Sequence, residues 1–303
     1  MRRIIKGAIK YIFDKNYRYL FNCSKGKYDY LSDEEYLKRY YRAYYQKEFD
    51  LNNLLTFGDK LQFIKLNYRS ESMTQMVDKF EVRKHVAKLI GEEYLIPLLG
   101  VWDSPEEIDF NNLPSAFVLK CNHNSGTGMV ICRDKRNINI KEVIRGLNAG
   151  LKEDYYLKNR EWPYKNVKRR IICEAFMKDG NRDELADYKF YCFNGIPCYC
   201  QVIQDRSTHE TVDFFDMNWV HQDFTGFGKK YDYSKAGIVC PKTFNDMKRF
   251  AKILSEDFPF VRVDFYEING KLYFGELTFF PNGGFGNFYP YEWNKKIGDL
   301  ILL

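Results

Sequence analysis

Val261-Arg262-Val263-Asp264-Phe265-Tyr266, then Asn269-Gly270, then Leu272-Tyr273-Phe274-Gly275-Glu276-Leu277-Thr278, is the stretch on which the fold is read. Two apolar runs flanking an Asn-Gly pair form a β-hairpin. Carboxylates inside such strands are costly to bury unless they are paired or bound to metal. Asp264 and Glu276, with the Thr278 hydroxyl beside them, form a candidate hard-cation site. Mg²⁺ takes few protein carboxylates and completes its shell with phosphate oxygens and water. Register supplies a condition. A plain two-residue loop pairs 264 with 275 and puts Asp264 and Glu276 on opposite faces. A shared metal therefore requires an odd-length turn, such as a three-residue loop with a glycine bulge. In the competing reading Asp264 pairs with a nearby cation and Glu276 sits on a solvated edge.

Upstream, Lys120-Cys121-Asn122-His123-Asn124-Ser125-Gly126-Thr127-Gly128 places a lysine at the end of a short apolar run, before a loop of small donors. Backbone N–H groups around Ser125, Gly126 and Gly128 suit phosphate oxygens, with Lys120 neutralising them. No Walker loop or G-x-G-x-x-G fingerprint is present, and the same stretch also reads as an ordinary hairpin turn. Ile171-Ile172-Cys173-Glu174-Ala175-Phe176 is a buried strand carrying a carboxylate at its end. Asp187-Tyr188-Lys189 sets a carboxylate and an ammonium on one face of a strand, as a nucleotide-facing pair or a structural salt bridge. Strands are expected over 187–193 and 196–204, joined at Asn194-Gly195. Helices are expected near 33–48, 78–91, 140–152 and 241–256, with a charged loop from Lys178 to Glu184. The stretch 205–240, with Arg206, His209, Asp213, Asp216, Trp219 and Tyr231, reads either as acceptor-facing or as surface strands and loops.

Composition bounds the class. The chain has 303 residues, 45% hydrophobic and 29% charged, which is a globular balance with room for two or three subdomains. The net charge of +6 suits a phosphate-bearing or acidic ligand, and no basic run matches a nucleic-acid motif. The 8 cysteines form no C-x-x-C pair, and several lie in apolar runs, so reduced core thiols are expected. With no signal peptide and no membrane-spanning run, the expected compartment is the cytoplasm. Over residues 1–21, Ile4, Ile5, Ala8, Ile9, Ile12 and Phe13 recur at helical spacing among Arg2, Arg3, Lys6, Lys10 and Lys15. This stripe either docks on the chain's own core, the reading preferred here, or lies on the inner face of an anionic membrane.

Taken together, Asp78-Lys79-Phe80-Glu81-Val82-Arg83, Val118 to Gly126, Asp187 to Gly195, Arg262-Val263-Asp264 and Glu276-Leu277-Thr278 resemble the ATP-grasp superfamily, and within it the TupA-like branch named for teichuronopeptide biosynthesis. The resemblance spans roughly 50–303. It implies an α+β fold in which two lobes grip ATP, with an N-terminal helical extension. The corresponding division is 1–70 helical, 71–173 the smaller nucleotide-gripping lobe, and 174–303 the C-terminal lobe with the metal site. It further implies that Lys120, with Lys79 or Arg83, contacts the phosphates. Glu174 and Phe176 would lie at the adenine hinge, with Asp187 and Lys189 in the nucleotide cleft. Asp264 and Glu276 would hold Mg²⁺, and Arg262 would face the transferring phosphate. The usual Asn two residues after the metal Glu is replaced by Thr278, a poorer ligand.

The implied reaction joins a carboxylate to an amine through an acylphosphate. The branch's association with surface polysaccharides points to a uronic-acid carboxyl as acceptor and an amino acid or amine as donor. Two alternatives remain in view. A glycosyltransferase of polysaccharide biosynthesis is disfavoured because metal-dependent ones commonly use Asp-x-Asp, which does not occur in this chain. An ATP-grasp kinase would keep the fold and phosphorylate a sugar or alcohol.

Overall fold

Asp14 divides the expected N-terminal helix in two. Its carboxylate accepts hydrogen bonds from the backbone N–H groups of Asn16 and Tyr17, so it caps a second helix. The computed structural model describes residues 2–180 and 184–303, and part of the expected loop from Lys178 to Glu184, at 181–183, lies outside the described residues. Helix α1 (Arg2–Phe13) is followed by α2 (Lys15–Cys23) and α3 (Asp33–Tyr45). Ser32 caps α3 through the Glu35 N–H. The described part of the α1 stripe does not dock on the core as expected: Ile9, Ile12 and Phe13 are exposed, Phe13 by 82%, while the side chains of Ile4 and Ile5 lie outside the described residues.

Helices α4 (Phe57–Asn67), α5 (Glu71–Val77) and α6 (Val82–Ile90) come next. Helix α4 falls within the expected helical region 1–70, but periodicity marks no separate helix there. It is buried on several sides, including at Asp59, Gln62 and Lys65, so it lacks the one-sided apolar stripe that reveals a surface helix. Thr56 and Asp59 form its capping box. Helix α6 begins four residues later than expected, because Asp78 accepts from the N–H groups of Phe80 and Glu81 and holds a turn there.

Strands β1 (Leu98–Trp102), β2 (Phe117–Cys121) and β3 (Val130–Cys132), helix α7 (Ile140–Lys152) and strand β4 (Ile171–Ala175) build the smaller layer. Its antiparallel sheet has the order β1-β4-β2-β3, and it encloses its own core of Phe117, Leu119, Val143, Leu147, Ile171 and Cys173. Strands β5 (Asp187–Phe193), β6 (Ile196–Gln204), β7 (Thr211–Asp216), β8 (His221–Gln222) and β9 (Thr225–Gly228) follow, then helix α8 (Phe244–Ser255). Strands β10 (Phe260–Ile268), β11 (Lys271–Thr278) and β12 (Asn287–Tyr289) and helix α9 (Trp293–Gly298) complete the chain. The larger sheet is antiparallel, with the order β11-β10-β5-β6-β7-β8, while β9 pairs with β12.

The larger core joins α4–α6, α8 and this sheet, with Phe57 against Tyr191, Phe193, Phe227, Phe260 and Phe288. A third cluster gathers Tyr36, Leu37 and Tyr41 of α3 around Phe285. The Tyr45 hydroxyl both donates to the Gly286 carbonyl and accepts from the Gly286 N–H, at 2.9 and 3.0 Å. The N-terminal helices thereby hold the segment that follows β11. All eight cysteines are free thiols, six of them buried. No helix among the described residues is long and apolar enough to cross a membrane.

Phe57→Ala removes a fully buried ring that touches five aromatic partners. The expected loss is about 3–5 kcal/mol, measured as a lower urea midpoint at unchanged m-value.

Candidate active site

The hairpin of β10 and β11 meets the register condition by a different route from the one expected. Its turn has two residues: Ile268 pairs with Lys271, and Asn269 and Gly270 both have positive φ. Phe265 still pairs with Phe274, but Asp264 pairs with Glu276. Gly275 is therefore an extra residue within β11, a bulge that brings Asp264 and Glu276 onto one face. An added Cβ at Gly275 would stand 3.0 Å from the Asp264 carbonyl oxygen and 3.1 Å from the Tyr266 ring. Glycine is the residue that fits.

Alternation then aligns the neighbours. Asp264 lies opposite Lys189 on β5, and Arg262 lies opposite Thr278 on β11. Asp264 is 1% exposed. It accepts from Arg262 Nε and Nη2, both at 2.7 Å, and is ion-paired to Lys189. Lys189 also pairs with Asp187 at 3.3 Å, and Arg206 reaches Asp187 at 2.9 Å. Arg262 Nη2 donates to Thr278 Oγ1 at 3.0 Å and to Glu276 Oε1 at 3.4 Å. The Asp264 charge raises the Arg262 pKa despite burial, which alone would lower it.

Glu276 is 42% exposed and faces outward from this network. Burial pushes its carboxyl up, but Lys79, Lys189, Arg262 and Lys120 together outweigh that and hold it down at about 2. Lys79 precedes α6. Its Nζ donates to the Asn124 carbonyl at 2.7 Å and stands 4.0 Å from Glu276 Oε2. It thus spans the 122–128 loop of the small sheet and the hairpin of the large one. Burial lowers the Lys79 pKa against the pull of Glu276.

The loop itself is held from beneath. Asn122 donates to Asp78 and to the Lys168 carbonyl and accepts from the Arg170 N–H. Asn124 donates to the Thr127 and Gly150 carbonyls, and His123 Nε2 lies 3.1 Å from the Glu153 carbonyl. Ser125 lines the cavity beside Lys79. Gly126 and Gly128 have φ of +90° and +77°. A Cβ at Gly128 would meet the Gly146 carbonyl at 2.8 Å, so α7 packs directly under the loop.

Lys120 and Glu174 form a separate cluster. Glu174 pairs with Lys120 at 2.6 Å and with Arg83 at 3.2 Å, and Arg83 also donates to the Ile96 carbonyl. Arg83 is thereby held on the Glu174 side, and the Glu174 carboxylate already has two cationic partners. Phe176 is half-buried beyond the strand end, beneath the Arg133 guanidinium. In 205–240, Asp213 is buried on His221, and Trp219 stacks on Phe215.

The Lys79, Arg262, Glu276 and Thr278 side of the network opens on a cavity of about 270 Å³. Tyr155, Glu161, Tyr164 and the Pro281–Gly283 turn complete its wall. None of these was singled out in the sequence, since they lie in non-repeating segments; the dense Asn-Arg-Glu-Trp-Pro-Tyr run at 159–164 was the available signal. Larger hollows near Phe63 and Pro259 (about 500 Å³) and near Lys15 and Lys47 (about 830 Å³) lack such a convergence of carboxylates and cations. Among the described residues no group of three or more His, Cys, Asp or Glu side chains forms a metal cage. Two carboxylates and a hydroxyl share this face. Asp264 already accepts from Arg262 and Lys189, as in the competing reading, and Glu276 is the carboxylate open to a cation that keeps phosphate and water in its shell.

The sequence profile of the TupA-like ATPgrasp family matches residues 59–302. The chain belongs to this family, and its fold is ATP-grasp. No curated protein matches it. Among solved structures, it is similar to D-alanine-D-alanine ligase from Helicobacter pylori, at 14% identity and a TM-score of 0.43, over 81% of this chain and 69% of that one. The Bacillus anthracis D-alanine–D-alanine ligase complexed with ATP gives 15% identity and a TM-score of 0.40, over 75% and 63%. The ATP-grasp ligase PsnB complexed with a minimal precursor, Mg and ADP gives 10% and 0.38, over 73% and 57%. The chain thus spans between 57% and 69% of the length of these ligases.

Because the folded-state value of Glu276 lies below its ordinary 4.5, the fold favours the ionised carboxylate. That contribution is present above about pH 4.5 and is lost as pH falls toward 2. A carboxyl ¹³C titration in metal-free buffer should give a Glu276 midpoint near 2. Lys79→Met should move it upward.

Proposed function

We propose that this chain is an ATP- and Mg²⁺-dependent carboxylate–amine ligase. The observation that carries the reading is the shared face of Asp264 and Glu276, bordered by Arg262 and reached by Lys79 from the opposite lobe. Asp264 and Glu276, with Thr278 beside them, would hold Mg²⁺, which supplies charge neutralisation on the phosphates. The N–H groups around Ser125, Gly126 and Gly128 would receive phosphate oxygens, with Lys120 and Lys79 as counter-charges. The strand end at Glu174 and Phe176 would face adenine, with Arg83 fixing Glu174. Asp187 keeps Lys189 beside Asp264 at the floor of the same cleft.

In the first step a substrate carboxylate oxygen attacks the γ-phosphorus, the bond to the β-phosphate oxygen breaks, and ADP leaves an acylphosphate. Arg262 and Lys79 offset the charge on the transferring group. An amine then attacks the acyl carbon, phosphate departs, and an amide forms with loss of one proton from nitrogen. Closure of the two lobes would exclude water, to which an acylphosphate is vulnerable. Family membership supports a uronic-acid carboxyl of a surface-polysaccharide precursor as the acceptor and an amino acid or amine as the donor. Work at the inner face of the membrane fits this acceptor. Exposed Ile9, Ile12 and Phe13, beside Lys10 in a helix free of acidic residues, would meet anionic lipid there.

Purified protein with Mg-ATP, screened against uronic acids and amino acids, should release ADP and phosphate only when both partners are present. ADP release without free phosphate, with a hydroxyl acceptor alone, would indicate a kinase. Asp264→Asn and Glu276→Gln should each lower the rate roughly a hundredfold or more. In a separate sedimentation assay, vesicles containing phosphatidylglycerol should retain the full chain at low salt, and pure phosphatidylcholine should not. Phe13→Asp should weaken that retention roughly tenfold.

A further inference from the structure

We propose that Glu161 is the seat for the amino group of the amine substrate, a primary ammonium entering the cavity between Tyr155, Tyr164 and the Asn282–Gly283 turn. The proposal rests on the ligase reading above and assigns one of its two substrates a place.

Glu161 is 4% exposed and lines the same cavity as Arg262, Glu276 and Thr278. Among the described residues its side chain makes no direct ion pair, and Asn159 favours its charged form. The cations nearest in influence are already committed. Lys65, 1% exposed, has three N–H donors and directs them to Gln62 Oε1 at 3.1 Å, the Asn159 carbonyl at 3.0 Å and the Gly283 carbonyl at 2.5 Å. Arg262 directs Nε and Nη2 to Asp264, Glu276 and Thr278. Both act on Glu161 only through space. Burial, reinforced by the Glu276 charge, therefore pushes the Glu161 carboxyl up, against the pull of Lys65 and Arg262.

A buried carboxylate with no direct cationic partner is costly, and an arriving ammonium relieves that cost. The wall around it is built to stay in place. Lys65 ties the Asn159 segment to the Gly283 turn, and Arg160, Asn282, Gly283 and Gly284 all take positive φ there. Tyr155 and Tyr164 stand edge-to-face at 4.8 Å and close the other side. The amine is thereby held in the cavity that also contains Arg262 and Glu276. Bound as an ammonium, it gives one proton to the Glu161 carboxylate. The freed nitrogen lone pair then attacks the acyl carbon as phosphate departs, and a second proton leaves the nitrogen. A cavity of about 270 Å³ has room for an amino acid or a small amine.

The test is saturation-transfer NMR on the full chain with Mg-ADP. The probes are glycine, alanine, serine, threonine, lysine and glutamate, each beside its N-acetyl counterpart. At least one free amino acid should bind while its N-acetyl form does not, and Glu161→Gln should weaken that binding roughly tenfold or more. Glu161→Asp, which keeps the charge, should retain part of it and serves if E161Q fails to fold by its thermal melt. Binding that survives both N-acetylation and E161Q overturns the proposal, as does a wild-type protein that binds none of the panel. Mn²⁺ relaxation enhancement lost in E161Q would show instead that Glu161 holds a second cation. Because no turnover is needed, failure of the ADP-release screen with intact amine binding removes the ligase reading and leaves this site standing.

Discussion

Asp264 is a buried carboxylate, and a buried carboxylate must be matched by positive charge or hydrogen-bond donors. Here the match comes from two strands, Lys189 on β5 and Arg262 on β10 itself. That requirement keeps β10 between β5 and β11 and keeps three charged side chains on one face of a sheet whose other face packs on α8. Glu276 and Thr278 then fall beside Arg262 because the Gly275 bulge shifts β11 by one residue. Replacing one partner would leave an uncompensated charge in the core, so these side chains stand or fall together.

The same charge economy links the two sheets. Glu174 gathers Lys120 and Arg83 on the small sheet, while Lys79 bridges from the Asn124 carbonyl toward Glu276 on the large one. Asn122 and Asn124 use buried amides to hold the glycine-bearing loop, so its tip carries few side-chain atoms toward the cleft. Behind the cavity, Tyr45 clamps Gly286 and Lys65 clamps Gly283. The N-terminal helices thus reach the site through the segment they brace, without contributing a charged group to its face.

Part of this was legible from local pattern. The hairpin, the Asp187–Lys189 pair and the strands at 187–193 and 196–204 follow from period-two alternation, which is a local property of the chain. Helix α4 was not legible, because burial around Asp59, Gln62 and Lys65 erases the apolar stripe. The exposure of Ile9, Ile12 and Phe13 on α1 was not legible for a related reason: periodicity shows that a face is apolar, and not what covers it. Tyr155, Glu161, Tyr164 and Asn282 sit in segments without repeat, where residue spacing carries no geometric information.

The amino-acid sequence alone determined the carboxylates and cations of the hairpin, the strands that carry them and the family, because each is written in neighbouring residues or in their order. Only the tertiary structure decided that the odd residue sits at Gly275 inside β11 rather than in the Asn269-Gly270 turn. It also decided that Glu174 is already paired, while Glu161 has no ion pair among the described residues. The reason is physical. A bulge is placed by packing against the next strand, and a charge finds its partner across the fold, so both depend on contacts between residues far apart in the chain.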